Sequence, residues 1–113
     1  MKYRNTKTVF NGLKFDSKGE ASRYGELMIL ERIGEIKELK RQQAFELAPS
    51  VKFSVAKKKK PALRFVADFT YRDKENRLVV EDFKSPVSLK LAAFQIKRHL
   101  MKHIFDIDVM VTL

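Results

Sequence analysis

The most regular alternation of apolar and polar positions runs from Val66 to Lys84. Val66-Ala-Asp68-Phe-Thr-Tyr71 and Leu78-Val-Val-Glu81-Asp82-Phe-Lys84 are separated by the polar stretch Arg72-Asp-Lys-Glu-Asn-Arg77. Strand-like runs on either side of a polar turn predict a β-hairpin. With the pairing centred at Glu75, Asp68 stands directly opposite Asp82. A slip of one residue would set Glu81 there instead, on the other face.

Upstream, Ala21, Tyr24, Leu27, Met28 and Leu30 supply the apolar side of a helix beginning at Asp16 or Ser17 and ending at Gly34. A glycine suits the residue just past a helix C-terminus. Glu35 to Leu47 reads as one or two strands stopped by Pro49-Ser50, and Val51 to Val55 as another short strand. Lys57-Lys58-Lys59-Lys60-Pro61 is a charged loop, because four adjacent ammonium groups cannot all be buried. Beyond Ser85-Pro86 the spacing predicts a helix from about Ser88, its cap, to His103, with Leu89, Ala93, Ile96 and Leu100 turned inward. Ile107 to Val111 closes as a strand, and residues 1–16 form a basic, mostly polar arm. The order α-β-β-β-β-α-β predicts an α/β domain, a mixed sheet with helices packed on it.

Composition narrows the function more than the fold. A chain of 113 residues, 44% apolar and 34% charged, is one globular domain with a single modest core. The net charge of +10 is not ordinary and points to a polyanion, nucleic acid foremost. No cysteine is present, which excludes disulfides, thiolate zinc sites and cysteine nucleophiles. No apolar run approaches the ~18–20 residues of a membrane helix and the N-terminus lacks a signal-peptide core, so the expectation is an intracellular, cytoplasmic protein away from membranes.

The hairpin carries the candidate chemistry. Opposed side chains on paired strands lie roughly 5 Å apart, where two carboxylates repel. Lys84 follows Asp82 on the same face, about 6–7 Å along the strand. Asp is disfavoured inside strands, so Asp82 among Val79, Val80 and Phe83 calls for a reason. Magnesium takes one or two carboxylates plus waters and substrate phosphate, which makes the set a candidate for metal-assisted phosphodiester chemistry. The competing reading is a solvated face on which Lys84 screens two acids. Phosphate contacts fall to Lys57, Lys58, Lys59 and Lys60, to Lys90, Lys97, Arg98 and Lys102 on the last helix, and to Lys2, Arg4 and Lys7 in the arm. Their affinity is largely sequence-independent and falls steeply with salt. Leu91, Phe94 and Met101 lie among the helix's cations, a surface for phosphates or for a second subunit. His99 and His103, four apart but without a third ligand, read as partly buried packing residues.

Asp68 followed by Asp82-Phe83-Lys84 resembles the core signature of the PD-(D/E)XK nuclease superfamily, an acid on one strand and acid-x-Lys on the next. Phe15-Asp16-Ser17-Lys18-Gly19-Glu20-Ala21, Gly34-Glu-Ile36, and Leu39 through Gln43-Ala-Phe45-Glu-Leu47 resemble small phage-encoded endonucleases. These are similar to junction resolvases of the endonuclease I type and to transposase endonuclease subunits. The likeness covers nearly the whole chain, with Ala67 where the superfamily often places proline. It implies a restriction-endonuclease-like core, a central mixed sheet of four to five strands flanked by helices. It also implies Mg²⁺- or Mn²⁺-dependent DNA hydrolysis leaving a 5′-phosphate and a 3′-hydroxyl. Asp68 and Asp82 would ligate the ion, Glu20 on the first helix would complete the site, and Lys84 would position the attacking water. Gln43 and Gln95 become candidates near the site, and a homodimer acting on branched DNA such as a Holliday junction follows by analogy. Glu20 has a plainer reading, since Ser17-Lys-Gly-Glu20 matches a capping box. A non-catalytic nucleic-acid-binding accessory, or a ribosome-associated protein, would also explain the charge.

Overall fold

The computed structural model describes residues 7–113; Lys2 and Arg4 of the basic arm lie outside them. Within the described residues the arm forms a hairpin. Strands β1 (Thr8–Phe10) and β2 (Leu13–Phe15) pair through Asn11-Gly12, both at positive φ (53° and 73°). An Asn-Gly pair favours this left-handed two-residue turn.

Helix α1 (Lys18–Arg32) starts where Ser17 accepts the Glu20 amide on its hydroxyl at 3.1 Å, and Gly34, at φ 85°, ends it as expected. Strand β3 (Lys37–Ala48) is one strand, antiparallel to β4 (Leu63–Arg72). The short strand expected over Val51–Val55 does not form. Residues 49–62 make a loop closed only by an isolated bridge between Val51 and Lys60. β4 pairs antiparallel with β5 (Leu78–Phe83) in the register Phe69 to Glu81 and Arg72 to Leu78, centred on Glu75.

The helix expected from Ser88 to His103 is two. Pro86 opens α2 (Pro86–Leu89) and Ser85 caps it, its hydroxyl accepting the Ser88 amide at 3.0 Å; Ser88 is therefore inside the turn and not its cap. The chain breaks at Lys90-Leu91 before α3 (Ala92–Phe105), which ends on the left-handed Asp106. β6 (Met110–Thr112) runs parallel to β5, giving a mixed sheet in the order β3-β4-β5-β6 with helices packed on it.

Two apolar clusters sandwich the sheet. α1 covers Phe15, Ala21, Leu27, Ile36, Phe69 and Tyr71; α3 covers Leu47, Phe65, Ala67, Val80, Phe94, Met101 and Val109. The inward stripe matches the expected one in part: Leu89 and Leu100 pack against the core, but Phe94 and Met101 are its buried residues whereas Ala93 and Ile96 are exposed. Both stripes are apolar, and the larger rings and thioether remove more surface from water. His99 and His103 lie on the exposed side, not partly buried. Along β4, Phe65 and Ala67 serve the α3 cluster and Phe69 and Tyr71 the α1 cluster, so the strand changes allegiance at Asp68. There the sheet forks: β4–β5 pairing ends at Phe69 and Glu81, β4 continues only with β3, and β5 continues with β6 through Asp82 and Phe83.

Candidate active site at the fork of the sheet

A fork strands backbone donors that a continuous ladder would have used, and buried N–H groups need partners. The two aspartates provide them. The Asp68 amide donates to Asp82 Oδ1 at 3.1 Å, and the Phe83 amide donates to Asp68 Oδ2 at 2.8 Å. This reciprocal clasp holds both carboxylates at the point of divergence, with Asp82 only 2% exposed. Lys84 closes on the pair from β5's end, its Nζ 2.7 Å from Asp82 Oδ2 and 4.5 Å from the centre of the Phe94 ring.

Glu20 comes in from the first turn of α1 and is 4% exposed. Burial, then the Asp16 charge, raises its pKa; Arg41 and a hydrogen bond from the Asp16 backbone oppose this, and Asp82 adds to it. The carboxylate thus takes a backbone bond next to the helix cap and still feels the fork, so capping and site roles are not exclusive. Asp68 is pushed up to about 7, first by burial and then by the Asp82 charge, with Glu20 contributing. The fork holds more negative charge than its local cations neutralise.

Packing enforces this arrangement. Gly19 lets α1 approach β5 so closely that a Cβ there would stand 2.1 Å from Phe83 Cζ. One turn along, Arg23 binds Glu81 in a bidentate pair at 2.8 and 2.7 Å, and the Tyr71 hydroxyl also donates to Glu81. Glu81 is fully buried on the α1 face, which resolves the alternative register in favour of Asp82 opposite Asp68. The pair raises the pKa of the Arg23 guanidinium, while burial and then Glu81 raise that of Tyr71.

The structure therefore brings Glu20, Asp68, Asp82 and Lys84 together, and leaves other expected residues elsewhere. Gln43 pairs with Ala67 in the ladder; its neighbour Gln42 donates to Asp68 Oδ1 at 3.2 Å. Gln42 has φ 53° and lies across from Asp68 in the unbroken register that pairs Arg41 with Phe69 and Gln43 with Ala67. Gln95 donates to the Leu89 carbonyl at 2.6 Å, bridging the α2–α3 break away from the fork. Lys97 borders a groove of about 350 Å³ with Asp68, Asp82 and Lys84, while Arg98 lines a separate cavity with His99 and Lys102. Lys57, Lys58, Lys59, Lys60 and Lys90 are exposed.

Sequence reasoning missed Arg41, whose guanidinium lies 4.0 Å from the Phe15 ring centre and donates to the Lys14 carbonyl at 2.8 Å. It also missed Gly19, although a glycine in the first turn of a helix, about 1 kcal/mol worse than alanine there, is itself a signal of close approach.

Among the described residues, no three His, Asp or Glu side chains are arranged to hold one ion together. Glu20 therefore does not complete a three-ligand set in this arrangement. Asp68 and Asp82 alone offer the one or two carboxylates that Mg²⁺ usually takes, and their excess negative charge suits a hard cation. No helix among the described residues is long and apolar enough to cross a membrane. No curated protein and no solved structure matches the chain. The family model described as "Protein of unknown function (DUF1064)" matches residues 1–112, and the chain belongs to that family.

Proposed function

We propose that the protein is a divalent-metal-dependent DNA endonuclease of the PD-(D/E)XK kind. The observation that carries the reading is the buried Asp68–Asp82 clasp beside Lys84, which gathers two carboxylates and one ammonium at the fork of the sheet. Asp68 and Asp82 would hold Mg²⁺ or Mn²⁺. When bound, the ion would polarise a phosphodiester oxygen and lower the pKa of a coordinated water.

The chain's own residues set the rest. Lys84, tethered to Asp82 and laid over Phe94, directs an ammonium at the incoming water or at charge developing on phosphate. Gln42 orients Asp68, and Glu20 adds a carboxylate to the pocket that Asp68 and Lys84 line. Lys97 lines the groove along which a phosphate backbone would approach. By the same resemblance the substrate is branched DNA, cut by two copies acting together in the cytoplasm.

The test is to incubate the protein with a four-way junction and with linear duplex, with and without Mg²⁺. Metal-dependent cleavage that Asp82→Ala and Lys84→Ala abolish, with binding largely kept, is the expected result. Metal-independent cutting, or full activity in both variants, refutes the mechanism. A non-catalytic DNA-binding protein is the second reading, favoured by the lack of a three-ligand set among the described residues. It requires binding without cleavage of either substrate.

A further inference from the structure

Two antiparallel neighbours such as β3 and β4 need only two to five residues to turn. Here the connection runs over residues 49–62, bracketed by Pro49 and Pro61. It is ordered by the Val51–Lys60 bridge, with N–H to carbonyl distances of 3.2 and 2.6 Å, and by a turn in which the Ala56 amide donates to the Phe53 carbonyl at 3.0 Å.

What this finger displays is unusual. Phe53 is 58% exposed, the most exposed of the nine phenylalanines, and Val55 is 98% exposed. Lys52 and Lys57 to Lys60 surround them, all exposed. An aromatic ring held out in water among ammonium groups matches a polyanion that also offers flat apolar faces. Nucleic acid with unpaired bases has that chemistry: phosphates for the lysines and a base for the ring.

The finger leads directly into β4, whose first residues reach the groove. The groove that holds Asp68, Asp82, Lys84 and Lys97 extends to Arg64, at the start of β4. From Asp68 to Leu63 is five residues of strand, or about 17 Å at ~3.3 Å each. That spans roughly five nucleotides at ~3.4 Å per step.

We infer that residues 49–62 form a second nucleic-acid contact, in which Phe53 stacks on an unpaired base of the strand whose backbone follows the groove to Asp68 and Asp82. The inference deepens the nuclease reading and rests on it for the path of the strand. It assigns the finger a preference for substrates with locally unpaired DNA.

The experiment measures binding of the full chain in EDTA, where no cleavage occurs, to a paired duplex and to the same duplex carrying a short single-stranded gap. A 2-aminopurine in the gap reports stacking. Phe53→Ala is expected to weaken gapped-DNA binding roughly 5- to 150-fold, the range for loss of one base–aromatic stack. It should also remove the 2-aminopurine quenching and leave the paired duplex within about twofold; Phe53→Trp should retain both signals. Equal losses on both DNAs, no loss, or Phe53-dependent binding to phosphatidylserine vesicles with no effect on DNA overturns the inference. The two readings fail separately. A Phe53-dependent gap preference without Mg²⁺-dependent cleavage sinks the nuclease and keeps the finger, whereas Mg²⁺-dependent cleavage together with gapped-DNA binding indifferent to Phe53 does the reverse.

Discussion

Gly19→Ala sets two physical effects against each other, and the structure decides which wins. Gly19 lies within α1 at an ordinary helical conformation, so backbone entropy alone makes alanine more stable by about 0.5–1 kcal/mol. The added methyl, however, would stand 2.1 Å from Phe83 Cζ and 2.7 and 2.8 Å from its Cε atoms, where ordinary carbon contacts are about 3.5–4.0 Å. The ring or the helix must retreat by more than an ångström. Overpacking of this kind costs about 1–3 kcal/mol, so the net expectation is a loss of roughly 1–2 kcal/mol. Glu20 follows Gly19, and Asp82 and Lys84 flank Phe83, so the same retreat widens the fork; for the proposed nuclease, a misplacement of ~1 Å is expected to lower turnover on the order of 100-fold. Urea melts and Mg²⁺-dependent cleavage on the same preparations of Gly19→Ala, Phe83→Ala and the double variant measure both. The double variant should be more stable than the two single losses predict, by a coupling of about 0.5–3 kcal/mol. A Gly19→Ala protein that is more stable than the parent and cuts as well would refute the steric argument.

Arg23→Ala leaves Glu81, fully buried, with only the Tyr71 hydroxyl, and its cost is expected near 3 kcal/mol. That is the lower end of the range for a broken buried pair, since the Arg23 side chain is 23% exposed. A urea midpoint unchanged from the parent, or one not recovered by Arg23→Ala/Glu81→Met, contradicts this. The pH dependence should carry an unusual sign. Asp68 is raised to about 7 against an unfolded value of 3.8, so between about pH 4 and 7 the folded chain binds more protons than the unfolded one. Stability in EDTA must then decline as pH rises through that window, with Glu20 acting in the same direction. Asp68→Asn should flatten the decline, and saturating Mg²⁺ should do the same for the parent protein; a parent and Asp68→Asn with parallel pH profiles would contradict the assignment.

The hairpin was legible because alternation and a polar turn are local signals, and centring on Glu75 gave the register found in the structure. The Asn11-Gly12 hairpin carried an equally local signal that charge in the arm obscured. Less was available for the phase of α3, where two apolar stripes compete and only the partner surface of Phe65 and Val109 selects Phe94 and Met101. Gln42 in place of Gln43 depends on the register of β3 against β4, and the fork depends on where β6 meets β5. Neither leaves a mark on periodicity. The pairing of Arg23 with Glu81 joins residues far apart in sequence, and so lay beyond any local pattern.

The switch of β4 from one apolar cluster to the other at Asp68 places the paired aspartates on a seam between two independently filled halves. Loosening either half strains the same line. Slow amide exchange at Phe69 and faster exchange at Asp68 would mark that boundary. Heat or mild denaturant should accordingly silence the protein well before its strands come apart.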